Sequence, residues 1–193
     1  MAMTITQIHD HFVGEIGGID LRKPVTPEQA LELNQALDRL GVLVFHDQDL
    51  TDEQQLAFTL NLGEIELAIG GNVTKPSERR LSVKMGDVSN LDQHGKVLAK
   101  GDRRRMFNLG NRLWHSDSSY RVIPAKCSLL SCRSKPVEGG NTEFAFMPAA
   151  FDALDDETKA EIEDLVAEHS LIYSRGQLGF GDYSPEELKT FEP

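Results

Sequence analysis

A histidine and an aspartate two residues apart, His115 and Asp117, are the side chains of this sequence best placed to bind a metal ion. On an extended segment, residues two apart project to the same side of the chain, and Trp114 is predicted to point the other way, into the core. An imidazole and a carboxylate presented together suit iron(II), which is often bound by two histidines and one carboxylate on one face. The alternative is a surface turn in which Asp117 hydrogen-bonds to local backbone, and for this pair alone the turn is commoner.

A second motif, GGNTEF at 139–144, contains Thr142, which follows His115 by 27 residues. Taken alone, two glycines followed by Asn and Thr predict a hairpin turn. The two motifs are more specific together than either is alone.

Two helices with clear start signals belong to the scaffold that must position these residues. The stretches TPEQ at 26–29 and TDEQ at 51–54 are capping boxes, and they predict helices over 26–41 and 51–62. Short apolar runs separated by glycines predict a hairpin or strand pair within residues 1–20. The apolar run between the two helices, 42–45, is predicted to be a short buried strand.

Three further apolar segments are predicted to be strands: 81–85, 126–132 and 142–146. Helical patterning dominates 148–169, whereas 66–80 and 86–112 are rich in glycine and polar residues and are predicted to be loops. The polar tail, 174–193, is predicted to be weakly structured. Because helices and strands are mixed rather than regularly alternating, a doubly wound sheet is not expected, and one domain is the simplest organisation.

The composition argues against some classes of partner. The 193 residues include 20 basic and 31 acidic side chains, a formal net charge of -11, which argues against nucleic acid or an anionic membrane as a partner. The N-terminal residues show no secretory signal, and no apolar stretch approaches the roughly twenty residues of a membrane span. Cys127 and Cys132 are predicted to be reduced core thiols, which favours a cytoplasmic protein.

The sequence resembles a known family, the α-ketoglutarate-dependent taurine and dichlorophenoxyacetate dioxygenases of the TauD/TfdA type. The resemblance covers nearly the whole chain. It is carried by stretches that have the family's order and spacing: GGIDL at 17–21, GVLVF at 41–45, DQDLT at 47–51, WHSDSSY at 114–120 and GGNT at 139–142.

The resemblance implies roles for individual residues. His115 and Asp117 match the family's first two iron ligands, and Thr142 matches a threonine that hydrogen-bonds a carboxylate of α-ketoglutarate. Three more residues match positions near the primary substrate: Asn111, Ser118 and Tyr120. The implied metal is Fe(II), and the implied cosubstrate is α-ketoglutarate.

The implied reaction is hydroxylation of a small organic acid by O2, with α-ketoglutarate converted to succinate and CO2. The residues after Asp117 and after the glycine pair look more like the phenoxyacetate branch, so an aryloxyalkanoate is the preferred substrate. A sulfonate such as taurine, or an alkyl sulfate, is the alternative within the family. The alternative of another class is a non-catalytic metal- or small-molecule-binding fragment. Members of the family often self-associate, so a homo-oligomer is also an expectation.

The implied fold is α+β and mainly β, a double-stranded β-helix (the cupin-like jelly roll) with flanking helices. The family's second histidine ligand, and the arginine that pairs with the far carboxylate of α-ketoglutarate, lie near its C-terminus. His169, at a predicted helix end, is a poor match for that histidine, and Arg133 and Arg175 are poor matches for that arginine. The later strands are missing too, so residues 1–193 are expected to be a C-terminally incomplete domain whose activity alone the sequence does not predict.

Overall fold

The computed structural model of the chain describes residues 2–68 and 73–191. The chain divides into two compact units. The first unit comprises Met1–Glu64 and Leu129–Leu165, and the second comprises Ile65–Ser128 and Val166–Pro193.

A three-stranded sheet is formed in the first unit by β1 (Thr4–Gln7), β2 (Gly14–Gly17) and β3 (Leu43–Phe45). The strand order is β1-β2-β3; β1 and β2 are antiparallel, and β2 and β3 are parallel. The predicted hairpin within residues 1–20 is therefore confirmed, and a strand forms within 42–45 as predicted, although it is half-buried rather than buried. Gly14 in β2 allows the close approach of Leu40, because a Cβ at position 14 would lie 2.7 Å from the Leu40 side chain and would displace it.

Two of the helices that flank this sheet begin as their sequences predict. In α1 (Pro27–Leu40) and α2 (Asp52–Thr59), both halves of the capping box are formed. Their apolar faces contribute to a buried cluster with the sheet: Ile16, Leu21, Leu33, Leu50 and Phe58. The same unit contains α4 (Met147–Asp152) and α5 (Asp156–Ile162), so the helix predicted at 148–169 is interrupted and ends early.

The second unit is built from short helices around its own apolar cluster. They are α3 (Arg103–Asn108), α6 (Leu171–Gly176), α7 (Pro185–Phe191) and two 3-10 turns, Pro76–Glu78 and Leu109–Arg112. The buried cluster is Val73, Phe107, Leu171, Phe180 and Phe191. Within the described residues, no helix of either unit is long and apolar enough to cross a membrane.

Two segments predicted to be irregular each contain a helix. In the predicted loop 86–112, α3 forms because the Asp102 side chain accepts a hydrogen bond from the Arg104 backbone N–H at the helix start. In the predicted weak tail, α7 begins with a reciprocal box between Ser184 and Glu187, whose side chains accept from each other's backbone N–H.

The predicted strands at 81–85, 126–132 and 142–146 are wrong for the described residues. A strand needs a neighbour to bond its backbone, and within residues 2–68 and 73–191 the only ladders are the three-stranded sheet and one bridge, Leu91 to Val97. The Leu129 carbonyl, for example, accepts from the Gln55 side chain instead. A complete jelly roll is therefore not formed within residues 2–68 and 73–191.

Candidate metal centre

The two predicted metal ligands lie side by side in the second unit. His115 Nε2 lies 3.0 Å from Asp117 Oδ1. Both side chains are exposed, 41% for the histidine and 59% for the aspartate, in an irregular segment that follows the Leu109–Arg112 turn. The expectation that these side chains project to the same side is confirmed, whereas Trp114 is 69% exposed and does not enter the core.

Neighbouring groups orient both ligands. His115 Nδ1 lies 2.6 Å from the Leu113 carbonyl oxygen, which can only accept, so Nδ1 carries a proton and Nε2 is the ring nitrogen available to a metal. The Ser128 hydroxyl donates to Asp117 Oδ2 at 2.6 Å, which leaves Oδ1 facing the histidine. Such partners fix the tautomer and the orientation of metal ligands.

The resulting geometry fits a divalent transition metal. Nε2 without a proton and the carboxylate Oδ1 are both electron-pair donors, so a proton or a cation must lie between them at this separation. Two ligands that are each about 2.1 Å from a common ion and at right angles are about 3.0 Å apart, which matches the separation found here. The pair therefore fits as two adjacent ligands of one ion.

No third ligand joins them within the part of the chain that the structure describes. Residues 2–68 and 73–191 hold no group of three or more histidine, cysteine, aspartate or glutamate side chains placed to bind a metal. His169 Nδ1 lies 2.8 Å from the Ser119 hydroxyl oxygen. His169 precedes the Ser170 cap of α6, so its predicted place at a helix C-terminus is wrong.

The turn after Asp117 is strained and is held by a carboxylate. Ser118 has φ of 56°, a left-handed conformation that costs energy for a residue other than glycine. Its hydroxyl donates to both oxygens of Glu66, at 3.1 and 3.2 Å. The Arg121 guanidinium lies 3.1 Å from the same carboxylate, as an ion pair rather than an aligned hydrogen bond. The Ser118 hydroxyl, which was predicted to line the substrate pocket, is thus already engaged.

The other predicted substrate residues differ in their surroundings. Asn111 is exposed in the Leu109–Arg112 turn, and its Oδ1 accepts a hydrogen bond from Arg175 Nη2 at 3.3 Å. Tyr120 is half-buried against the apolar cluster of the second unit. Arg175 is buried, and desolvation lowers the pKa of its guanidinium. Sequence reasoning missed this contact, and no local motif marks it.

Thr142, the predicted α-ketoglutarate contact, belongs to the first unit. It is exposed in an irregular segment after Gly139 and Gly140, which have φ of 72° and 73°. Glycine tolerates this left-handed conformation, but neither a turn nor a hairpin forms at the glycine pair, so the hairpin turn predicted from GGNT alone is wrong. The grouping of Thr142 with His115 and Asp117 stays a prediction.

The sequence profile of the family described as taurine catabolism dioxygenase TauD, TfdA family matches residues 4–192. This chain belongs to the TauD/TfdA family. The chain is 37% identical over 195 residues to an α-ketoglutarate-dependent 2,4-dichlorophenoxyacetate dioxygenase of Cupriavidus pinatubonensis; the match covers 100% of this chain and 67% of the relative. An (S)-phenoxypropionate/α-ketoglutarate dioxygenase of Sphingobium herbicidovorans is 38% identical over 162 residues, covering 80% of this chain and 51% of the relative.

A solved structure extends the TauD/TfdA match to three dimensions. The crystal structure of AAD-2 in complex with Mn(II) and N-oxalylglycine superposes with a TM-score of 0.95 at 62% identity, covering 100% of this chain and 67% of that one. The described residues therefore have the fold of the matching part of AAD-2. The chain spans about two thirds of the length of AAD-2 and of the C. pinatubonensis relative.

Proposed function

We propose that this chain is the metal-binding part of an Fe(II)- and α-ketoglutarate-dependent dioxygenase that hydroxylates an aryloxyalkanoate and releases succinate and CO2. The observation that carries the proposal is the 3.0 Å separation of His115 Nε2 and Asp117 Oδ1 in a chain of this family. The substrate class is supported by relatives named for 2,4-dichlorophenoxyacetate and (S)-phenoxypropionate. The Mn(II) and N-oxalylglycine bound to AAD-2 support a site for a divalent metal.

In this proposal His115 and Asp117 bind the metal, and neighbouring groups fix the tautomer of the histidine and the orientation of the carboxylate. Iron bound there supplies the centre at which α-ketoglutarate and O2 react. The Leu113 carbonyl keeps the proton on Nδ1, so Nε2 is free to bind without a change of tautomer. The Ser128 hydroxyl holds Asp117 Oδ2, so the carboxylate binds through Oδ1.

The remaining predicted residues bind the organic molecules. The exposed Thr142 hydroxyl is proposed to donate to a carboxylate of α-ketoglutarate. Asn111 presents an exposed amide to the acid substrate, and Tyr120 contributes a half-buried ring to the same pocket. Because the Ser118 hydroxyl donates to Glu66, we propose that Ser118 borders the pocket and fixes the turn after Asp117.

We further propose that residues 1–193 form a single family domain that is C-terminally incomplete and that its third iron ligand is a histidine from the region its relatives have beyond the match. The described residues offer only two ligands, and the match covers 67% of AAD-2. Two ligands bind a divalent ion more weakly than three, so the added region should strengthen iron binding. The complete jelly roll belongs to the same proposal.

Anaerobic titration of Fe(II) with α-ketoglutarate tests the proposal. We expect the visible charge-transfer band of the Fe(II)–α-ketoglutarate chelate in a chimera that joins residues 1–193 to the C-terminal third of AAD-2. The band should be weak or absent in the chain alone, lost in His115→Ala of the chimera and kept in His94→Ala, a matched histidine control in the exposed 92–96 turn. No band in the chimera would contradict the proposal and favour a non-catalytic binding fragment.

Substrate screening then distinguishes the branches of the family. Release of succinate that depends on 2,4-dichlorophenoxyacetate supports the aryloxyalkanoate assignment. Release that depends on taurine or an alkyl sulfate instead would overturn it. A homo-oligomeric state and a cytoplasmic location stay predictions of the proposal.

A further inference from the structure

Arg175 is a buried cation that has no carboxylate beside it among the described residues. Its exposed fraction is 8%, and no Asp or Glu in residues 2–68 and 73–191 forms an ion pair with it. Burial lowers the pKa of its guanidinium, and the titratable groups that act on that pKa, Tyr183 and Tyr120, are uncharged at neutral pH. Burying a charge without a counter-ion is costly, so a site that keeps one needs a reason beyond packing.

The guanidinium is fixed on three sides. Its carbon lies 5.0 Å from the centroid of the Phe107 ring, and Nη1 donates to the Ser174 hydroxyl at 3.3 Å. On another side it lies against the backbone of Gly110, where any Cβ would fall on it. Nη2 donates to Asn111 Oδ1 at 3.3 Å, whereas Nε is buried without a partner in the described part of the chain.

This contact determines which way the Asn111 amide points. A guanidinium has donors only, so the amide atom that faces it must be the oxygen. The Asn111 NH2 group therefore points away from Arg175, and no acceptor for it is found in the described part of the chain. Asn111 is exposed, so its two N–H bonds are available to a ligand.

We propose that Arg175 is a positioning residue that holds the Asn111 amide so that its NH2 group donates to the acidic group of the primary substrate. The inference rests on the proposed function, which places Asn111 at the substrate. It specifies the ligand chemistry at this point of the pocket as an acceptor-rich anion, a carboxylate or a sulfonate. The positive charge of Arg175 adds to this preference, and both effects disfavour a substrate whose nearest group is an ammonium.

Arg103 provides a structural comparison within the same unit. It pairs with Glu187 and Asp182 and lies over the Phe180 ring, so it connects α3 to the residues before and within α7. A merely structural role for Arg175 would resemble that of Arg103, with a substitution lowering stability and leaving the affinity for the acid unchanged. Arg103→Gln is therefore the matched control.

A thermal-unfolding cycle tests the contact itself, with or without activity. Asn111→Asp supplies the missing carboxylate, so it should raise the Tm by about 2–4 °C through an ion pair with Arg175. That gain should vanish in the Arg175→Gln background. If Arg175→Gln does not fold, Arg175→Leu serves as the uncharged background. A Tm gain of equal size in both backgrounds, or no gain, would overturn the proposed contact.

A double-mutant cycle on binding tests whether the Arg175–Asn111 contact serves the substrate. The measurement is calorimetric titration of 2,4-dichlorophenoxyacetate into the chimera of residues 1–193 with AAD-2. Asn111→Ala should weaken binding by roughly tenfold or more, and Arg175→Gln by a similar factor. The double variant should be no worse than Asn111→Ala alone, because Arg175 acts through Asn111. Arg175→Lys should recover part of the affinity, and Arg103→Gln should bind the acid as the unsubstituted protein does. Independent, additive losses would overturn the positioning role.

Failure of the inference can be told apart from failure of the proposed function. If the chelate band forms but acid binding does not depend on Asn111 and Arg175, the inference fails and the dioxygenase proposal stands. If the band is absent but the Asn111 and Arg175 substitutions weaken acid binding non-additively, the dioxygenase proposal fails and the positioning role stands.

Discussion

The buried cluster of the first unit and the 111–120 segment of the second are stabilised in opposite ways. The residues of the cluster all lie within 16–58, in or beside β2, α1 and α2, and each of the two helices is started by its own capping box. The segment has little regular structure, and side chains from 11 to 64 residues away bind it: Glu66, Ser128, His169 and Arg175. Stability and the geometry of the metal site therefore depend on different contacts, so substitutions in one region should spare the other.

Asp117→Ala should have the largest effect, because it removes one of the two proposed iron ligands, and no third candidate lies beside them in the described residues. We expect iron affinity in the chimera to fall by more than about 100-fold, beyond what the loss of a supporting contact causes. The Tm should be unchanged, since Asp117 is 59% exposed. Iron titration and thermal unfolding measure the two quantities, with the exposed Asp10→Ala as the control. A large drop in Tm would contradict the separation of the two regions.

Leu33→Ala should show the reverse pattern. Leu33 is 1% exposed in the cluster, so the cavity should cost about 2–5 kcal/mol in the free energy of unfolding. Urea denaturation measures that loss, and iron affinity of the folded protein should not change. Leu31 lies on the same helix but is 60% exposed, so Leu31→Ala should cost far less. Weakened iron binding in Leu33→Ala would show that the regions are coupled.

Ser128→Ala should affect the metal site alone by an intermediate amount. The variant removes the hydrogen bond that holds Asp117 Oδ2, so iron should bind about 10–100-fold more weakly. Unfolding by urea should be unaffected because Ser128 is exposed. Ser134→Ala, at a nearby exposed serine, is the matched control. Equal iron affinities for these two variants would show that the Ser128 hydroxyl does not orient Asp117 for metal binding.

Thr51→Ala should lower the free energy of unfolding by about 1 kcal/mol, because the Thr51 side chain caps α2. Thr51→Ser keeps the capping oxygen and should recover most of the loss. Urea denaturation of the two variants provides the measurement. A similar loss in both would mean that the methyl group of Thr51, rather than its cap, is responsible.

The smallest expected effect is a loss of stability in acid. Arg80 donates two hydrogen bonds to Asp87 at 2.8 Å and holds the pKa of that carboxyl below its usual value. The folded pKa is depressed, so this contribution is present above the ordinary pKa, about 4, and is lost as the pH falls through the folded value. We expect about 1 kcal/mol or less. Asp87→Asn should flatten the urea stability profile below pH 4, and an unchanged profile would contradict the assignment.

Features that depend on neighbours in sequence could be predicted. The two capping boxes predicted the starts of α1 and α2. The two-residue spacing of His115 and Asp117 predicted that their side chains project to the same side of the chain. Ser184 and Glu187 form a capping box of the same type, three residues apart, so the start of α7 could also have been predicted.

Features that depend on distant partners could not be predicted in this way. The apolar runs at 81–85 and 126–132 have strand composition, but a strand forms only where another segment bonds its backbone. Likewise, the Arg175–Asn111 contact joins residues 64 positions apart, and neither residue lies in a motif that indicates the other. The predicted metal ligands His115 and Asp117 could be found because they are two residues apart in sequence. Most of the contacts that support them come from distant residues and could not be predicted.

The packing of the Arg175 guanidinium against Gly110 links the residue types that positions 110 and 175 can accept. A methyl group at 110 meets the end of a flexible side chain rather than backbone, so Gly110→Ala need not strain the turn; it displaces the guanidinium. In a library randomised at both sites, side chains at 110 should therefore survive selection for folding mainly where 175 has become small. Selection for use of an acidic substrate should instead return glycine at 110 with arginine at 175. Glycine at 110 and arginine at 175 should then be kept or lost together, so the residue at 110 indicates whether the guanidinium still holds Asn111.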